Sequence, residues 1–571
     1  MTSPARRTTR RRAALCMGIL LAVASCAEDT GVEDGDSSVP APAPDGTTDR
    51  DEESLDVASD TEVLPIELGL EVVLETIETN VLAARVVVEA SEAVAVQIHA
   101  ISGDHVVRTP WSAAVATSHV LPLVGLRADR DYDVRVSAAG QDATPIAEVV
   151  SSFRTGSVPD AVPDFEIVAS PDRMSPGVTL IEPDPAGEEP GLLVALDHDG
   201  EVVWYHQSDE TMSGVALDAA GTMLGTRFFD AFVEIDVLGT EVGRWRLPFE
   251  EQATPADVPA IILDIPWSVS PSGDVKIHTP HHEFTRLPDG NLIGLVRVNQ
   301  SISVSDQQGF CPGDEQEWEI AGDLIIEFEP DGTVLRTWNL EDALDLFEFP
   351  GQFLCETETL FSTPVERDWT HANAVEYDPV NDLLLVSSRH TDHIVAFERG
   401  DTVGHQTEVA YVFGVGGDVE IDGAPFFHQH APEVQADGSI LVYDNGNFRP
   451  GGEKYSRAVR YEFDRGEDGV WRASQVWEHR VDTDDGTPLQ ALFLGDADAL
   501  SNGNVLIAHG GIGQPGSAEV SARVIEVVPF GPAGGDVVMD IRFGEPETGN
   551  GITTYRAERI ESFYAGPLWR S

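Results

Sequence analysis

Basic side chains are scarce in this sequence. Lysine and arginine number 35 against 99 aspartates and glutamates, a formal net charge of −64 over 571 residues. A phosphate backbone selects basic surfaces, so this balance excludes nucleic acid as a partner. It speaks for solubility and leaves the fold open. Cysteine is nearly absent, with four in the chain. Neither Cys311 nor Cys355 has a second cysteine nearby, which argues against a thiolate metal centre. The apolar stretch AALCMGILLAVAS is too short for a membrane-spanning helix, which takes ~20 residues. Helical periodicity is missing from the body of the chain. What is present, 42% hydrophobic residues, is ample for a core, and the length allows more than one domain.

Residues 1–26 read as a lipoprotein signal peptide. Five arginines between Arg6 and Arg12 precede the apolar stretch, and the segment ends in AVASC, which is similar to a bacterial lipobox and makes Cys26 the lipidated residue. An ordinary secretory signal is the alternative, and TRRR is weakly similar to a twin-arginine signal; each implies export, to the periplasm or to an outer-membrane anchor. In an oxidising compartment the remaining pair, Cys311 and Cys355, is expected to form a disulfide. Residues 27–63, rich in Asp, Glu, Pro, Ser and Gly, cannot bury enough apolar surface to order themselves and read as a disordered acidic linker.

From 64 to 157 short alternating strands (VLAARVVVEA, VAVQIHA, YDVRVSAAG, VVSSFRTG) predict a small β-sandwich. LVGLRADRDYDVRVSA is similar to the tyrosine-corner segment of fibronectin type III-like sandwiches, with Tyr132 at the corner. From 164 to 571 a unit recurs: a strand, a turn such as PDGN, then an apolar strand. Its instances are LVALDHDGEVVWYH, VALDAAGTMLGTRFF, HEFTRLPDGNLIGLVR, HANAVEYDPVNDLLLVSSR, HAPEVQADGSILVYDNG and ADALSNGNVLIAHGG. Six units with hairpin turns predict an all-β chain with a six-bladed β-propeller after the sandwich. The terminal TYRAERIESFY has no turn partner and is expected to close the ring in the first blade. A two-sheet sandwich is the plainer alternative, but it does not explain the regular restart.

Register makes the repeat informative. Gly290 lies eight residues after His282, and Gly438 eight after His430; His371 holds the matching position before a longer turn. Inner strands of a propeller run the same way, so these histidines would begin their strands at one rim, and each hairpin would return its second strand there. Arg389 then comes back beside His371, Arg297 beside His282, and Asp444 and Asn445 beside His430. Arg227 and His509 are brought toward the same end. Imidazoles and guanidinium groups gathered within so acidic a protein read as a receptacle for a small anion. Arg227 and Arg297 also suit salt bridges between blades, and histidines capping separate turns is the plainer reading of the whole pattern. His282 is expected to face the channel with His281 on the opposite strand face, and His428 shares the facing of His430. Asp444 reads as structural, paired with Arg457.

At these residues the chain resembles the bacterial arylsulfate sulfotransferase family. DWTHANAVEYDP, LLLVSSRH, FFHQH, LVYDNG and YSRAVRYEFD follow that family's motifs in order. The resemblance implies an N-terminal β-sandwich, a six-bladed propeller, and transfer of a sulfuryl group from an aryl sulfate donor to a phenolic acceptor. It implies no 3'-phosphoadenosine phosphosulfate, no other cofactor and no metal. It makes His430 the nucleophile that forms a sulfohistidine, with His371, Arg389 and His282 binding the sulfuryl group. Arg297, Asn445, His509 and His281 are the expected substrate-binding residues. Partners are thus small molecules and, through the lipid anchor, a membrane; a homodimer is left open. Two other classes fit the residues. Three histidines could hold zinc in a hydrolase, although an arginine would repel the cation and no carboxylate ligand is obvious. A non-catalytic propeller binding anionic aromatic ligands needs no reaction.

Overall fold

The computed structural model describes residues 68–570, apart from segments at 141–142, 186–190, 228–229, 248–259, 266–274, 305–310, 312–316, 356–365, 514–519 and 545–550. The expected signal peptide with Cys26, and the expected acidic linker, lie outside the described residues. Within them, regular structure is β-strand, apart from 3₁₀ turns at Pro171–Arg173 and Leu340–Asp342.

The first module is built around one long strand, Ala84–Ser102. Leu70–Thr76 and Ala116–Leu123 pair with its first half. His105–Arg108 and Asp131–Ala139 pair with its second, and Pro145–Arg154 continues that side. Period-two alternation sends Tyr132, Val134 and Val136 inward, as a strand with one buried face requires. The Tyr132 hydroxyl accepts a hydrogen bond from the Arg127 backbone N–H at 2.8 Å. The Arg127 guanidinium reaches Asp197 (2.7 Å) and Asp199 (2.5 Å) across the junction with the second module. Val124 exchanges backbone hydrogen bonds with the Tyr564 hydroxyl there.

Among the described residues, six further sheets of four to six strands follow. Their inner hairpins are Met212–Leu217 with Thr222–Arg227, Val275–Arg286 with Leu292–Ser303, and Ala372–Asp378 with Leu383–Ser388. Two more are His430–Val434 with Ile440–Asp444, and Asp496–Ala499 with Val505–Ile512. The leading strands of these hairpins, together with Ile552–Ile560, pack neighbour to neighbour in a closed circuit, which is a propeller-like arrangement. The turns repeat a local device. Asp197, Asp218 and Asp236 each accept from the backbone N–H two residues on. Each turn ends on a glycine, Gly200, Gly221 or Gly239, at φ near +80°, where a Cβ would be strained.

The sheet formed early in this module differs from its expected reading. LVALDHDGEVVWYH forms the two outer strands, Gly191–Leu196 and Val202–Ser208, not an inner hairpin. The innermost strand is Ile552–Ile560, paired with Val178–Pro185. The terminal segment TYRAERIESFY therefore does join the two ends of the module. At the other seam Glu166–Ala169 adds an outer edge to the last sheet.

Candidate active site

The hairpin Ala372–Asp378/Leu383–Ser388 carries His371 just before its first strand and Arg389 just after its second. The two meet: the Arg389 backbone N–H donates to the His371 carbonyl at 3.2 Å. His282, His371 and His428 all have left-handed backbones, with φ of 54°, 49° and 53°. Such residues cost roughly 1–2 kcal/mol each and persist only where surrounding structure enforces them.

His430 opens its strand and is fully buried. Its Nδ1 lies 2.5 Å from Asn445 Oδ1. The Asn445 amide nitrogen already donates to the carbonyls of Ala491 (2.9 Å) and Leu494 (2.8 Å). That fixes the amide orientation, so Oδ1 must accept and His430 Nδ1–H must donate. The lone pair of the neutral ring is then on Nε2, which has no hydrogen-bond partner among the described residues.

His371 Nδ1 sits 2.5 Å from Asp368 Oδ2. Its ring lies 5.2 Å from that of His282 and 4.3 Å from that of His390, centroid to centroid. His390 donates to the Asp368 carbonyl at 3.0 Å. His428 Nδ1 pairs with Asp392 at 2.9 Å. Arg389 is buried, and its side chain donates to the Leu492 carbonyl at 3.0 Å. No carboxylate forms an ion pair with it among the described residues. Burial lowers its guanidinium to about 10, with Asp392 and Asp368 opposing, so it stays cationic at neutral pH.

Burial first, then Arg389 and the neighbouring imidazoles, holds four imidazoles well below their ordinary range. Arg389, His371 and His428 act on His430; His281, His371, His430 and Arg389 act on His282. His390 and His428 are lowered in the same way. Burial raises the Asp368 carboxyl, yet His371, His390 and Arg297 together hold it well below the carboxylate range. The result is a buried set of neutral imidazoles around a guanidinium that lacks a counter-ion, which can receive an oxyanion.

The structure places several of the expected residues differently. His282 does not begin its strand: it sits at a bulge within Val275–Arg286, where the register shifts between His281 and Phe284. The bulge breaks period-two facing and lets the adjacent rings touch, His281 Nδ1 lying 2.5 Å from His282 Nδ1. His281 is held between His282 and Asp323, its Nε2 3.1 Å from the carboxylate. Arg297 lies opposite Thr279, not beside His282. Asn445 holds His430 in place and has no donor left for a ligand. His509 packs on the Tyr443 hydroxyl (2.8 Å), Tyr443 being the ladder partner of His430, and burial with Arg523 and His479 lowers it to about 3. Arg227 pairs with Glu241 at 3.0 Å, and Asp444 pairs with Arg457 at 2.8 Å, both structural.

Asp368, His390 and Asp392 had no assigned role in the sequence reading. Asp368 stands three residues before His371 in DWTH, a spacing that suits a side-chain bond across one turn. It also supplies the carboxylate missing from the zinc alternative: ligand atoms of Asp368, His371 and His390 lie within 4.8 Å of one another. Asp368 and His371 are already hydrogen-bonded to each other and His390 to the Asp368 backbone carbonyl, and Arg389 is close enough to affect both Asp368 and His390. A metal would have to displace a proton and sit beside a cation.

Aromatic rings flank the cluster. Phe353 lies 4.5 Å from His390, Phe448 lies 5.2 Å from His428, and the two phenylalanines are 5.9 Å apart. Phe448 is 61% exposed and marks the outer edge. Two residues beyond Phe353, Cys355 is bonded to Cys311, with Cα atoms 5.2 Å apart.

The family model described as Arylsulfotransferase (ASST) matches residues 166–545, well over half of the chain. The chain belongs to the arylsulfotransferase family. The arylsulfate sulfotransferase AssT of Escherichia coli O6:H1 is 24% identical over 300 residues, covering 41% of this chain and 46% of that protein. That of Lelliottia amnigena is 26% identical over 193 residues, covering 25% of this chain and 32% of that protein. The match thus spans less than half the length of either curated relative. Among solved structures, a periplasmic gluconolactonase of Pseudomonas aeruginosa is similar at a TM-score of 0.31 and 13% identity, over 67% of this chain and 99% of that one. So loose a likeness has no bearing on function.

Proposed function

We propose that this protein is an arylsulfate sulfotransferase working through a covalent sulfohistidine on His430, without 3'-phosphoadenosine phosphosulfate. The observation that carries the reading is the fixed tautomer: Asn445 holds the Nδ1 proton, leaving a buried, unpartnered Nε2 lone pair. In the first step Nε2 attacks sulfur, the N–S bond forms, and the S–O bond to the aryl group breaks with its electron pair going to phenolate. In the second, a phenol oxygen attacks sulfur as its proton is lost to a base, the N–S bond breaks, and neutral His430 returns. Arg389, His371 and His282 would hold the sulfuryl oxygens through both steps. Phe353 and Phe448 suit the aryl groups. We assign the fold as a six-bladed propeller behind a fibronectin type III-like sandwich, exported and anchored through Cys26.

Nitrophenol release from nitrophenyl sulfate should accelerate when phenol is added, with phenyl sulfate as the second product. Equal release without acceptor would make the protein a hydrolase, and no release would favour a binding propeller. The first turnover should also keep its rate from pH 7.5 to below about pH 6, because His430 protonates well under the ordinary histidine range. An exposed imidazole would lose half its nucleophile near pH 6.5.

A further inference from the structure

Opposite in character to the histidine cluster, a set of carboxyl groups lies among the innermost strands. Asp496 and Asp498 come from Asp496–Ala499, Glu558 from Ile552–Ile560, and Glu433 from His430–Val434. Glu433 accepts from the Ala499 backbone N–H at 2.9 Å, which ties its strand to the Asp496–Ala499 strand. The cation within the set is Arg556, which reaches Glu558 at 3.0 Å and Glu283 at 3.4 Å.

Asp498 is the anomaly. Its side chain is 9% exposed, and its Oδ2 is buried with no hydrogen-bond partner among the described residues. Asp496 Oδ2 is likewise without a hydrogen bond, and Arg556 Nε stands 4.0 Å from it. Buried carboxylates are ordinarily paired or capped, and leaving one bare is costly. Ligand oxygens of Asp496, Asp498 and Glu558 lie within 4.8 Å of one another. A hard cation about 2.4 Å from each oxygen would fit that spacing. Arg556 is shared with Glu283 as well, so Asp496, Asp498 and Glu558 are short of positive charge.

We infer that Asp496, Asp498 and Glu558 form a site for a divalent cation of calcium type. The donors are all oxygen, which selects a hard ion over zinc or copper. Because Glu558 lies on the strand that joins the two ends of the module, and the aspartates lie on the neighbouring innermost strand of the last sheet, the ion would clasp the seam where the circuit closes. Without a cation, carboxyl groups this close and this buried would have to share protons. The site shares no residue with the cluster around His430.

The test uses the full chain, stripped with chelator and titrated with calcium by calorimetry and by thermal unfolding. One saturable site is expected, with a rise in unfolding temperature as it fills. Asp498→Asn and Asp496→Asn should each weaken binding by at least about tenfold and lose the calcium-dependent rise, while the metal-free variants unfold no earlier than the stripped parent. Parent protein whose unfolding ignores calcium would overturn the inference in favour of shared protons. So would variants that bind as tightly as the parent, since the ion would then lie elsewhere on the acidic surface.

Discussion

Nitrophenol release by His430→Asn is expected to fall by at least about 10³-fold, with cooperative unfolding preserved. Removing an enzyme nucleophile costs rate on this scale because no neighbour can form the same bond. Here the neighbours are other imidazoles, so rescue by one of them is the main way the expectation could fail. The geometry argues against it. His371 Nδ1 is committed to Asp368 and His428 Nδ1 to Asp392, whereas His430 alone has its proton held by an amide fixed on two backbone carbonyls. The amide partner leaves His430 neutral, with its free lone pair on Nε2. Asparagine is smaller than histidine and polar, so the change should cost some stability without unfolding a chain with so extensive a core.

Arg389→Lys should lower kcat by roughly 10²-fold while changing the donor KM much less, as the steady-state kinetics of the purified variant would show. An oxyanion donor that acts chiefly as charge develops is worth about that much. Lysine keeps the charge but not the planar fork that can meet two sulfuryl oxygens together. The starting point is unusual: a guanidinium buried to 4% exposure with no ion-pair partner among the described residues, in a protein that has 99 acidic side chains to choose from. A structural arginine here would resemble Arg457, which is clamped by Asp444 and Glu478. Should Arg389→Lys be fully active, the anion-binding role assigned to Arg389 fails.

The hairpin logic was legible in the sequence because it needs only alternation and a turn. DWTHANAVEYDPVNDLLLVSSRH specifies two strands of nearly equal length, and equal strands must return Arg389 to His371. The pairing of Cys311 with Cys355 and the terminal strand at the seam were legible for similar reasons, since each was a leftover needing a partner. Facing at His281 and His282 was not. Period-two counting assumes an unbroken ladder, and the bulge there follows from a left-handed residue that no turn signal announces. Asn445 was found in the right place with the wrong role, because only its two backbone acceptors show that it has no donor to spare. The first repeat unit misled because an outer hairpin and an inner hairpin share one alternation pattern. The carboxyl cluster was invisible: its members come from strands far apart in the chain, hidden among many surface acids.

Covalent transfer through His430 is tested most directly by trapping. The protein is mixed briefly with nitrophenyl sulfate in the absence of acceptor, and its intact mass and peptides are measured. The account predicts one added sulfuryl group per chain, on the peptide bearing His430, which disappears when phenol is supplied. Full turnover with no adduct, or an adduct carried by another residue, would contradict it.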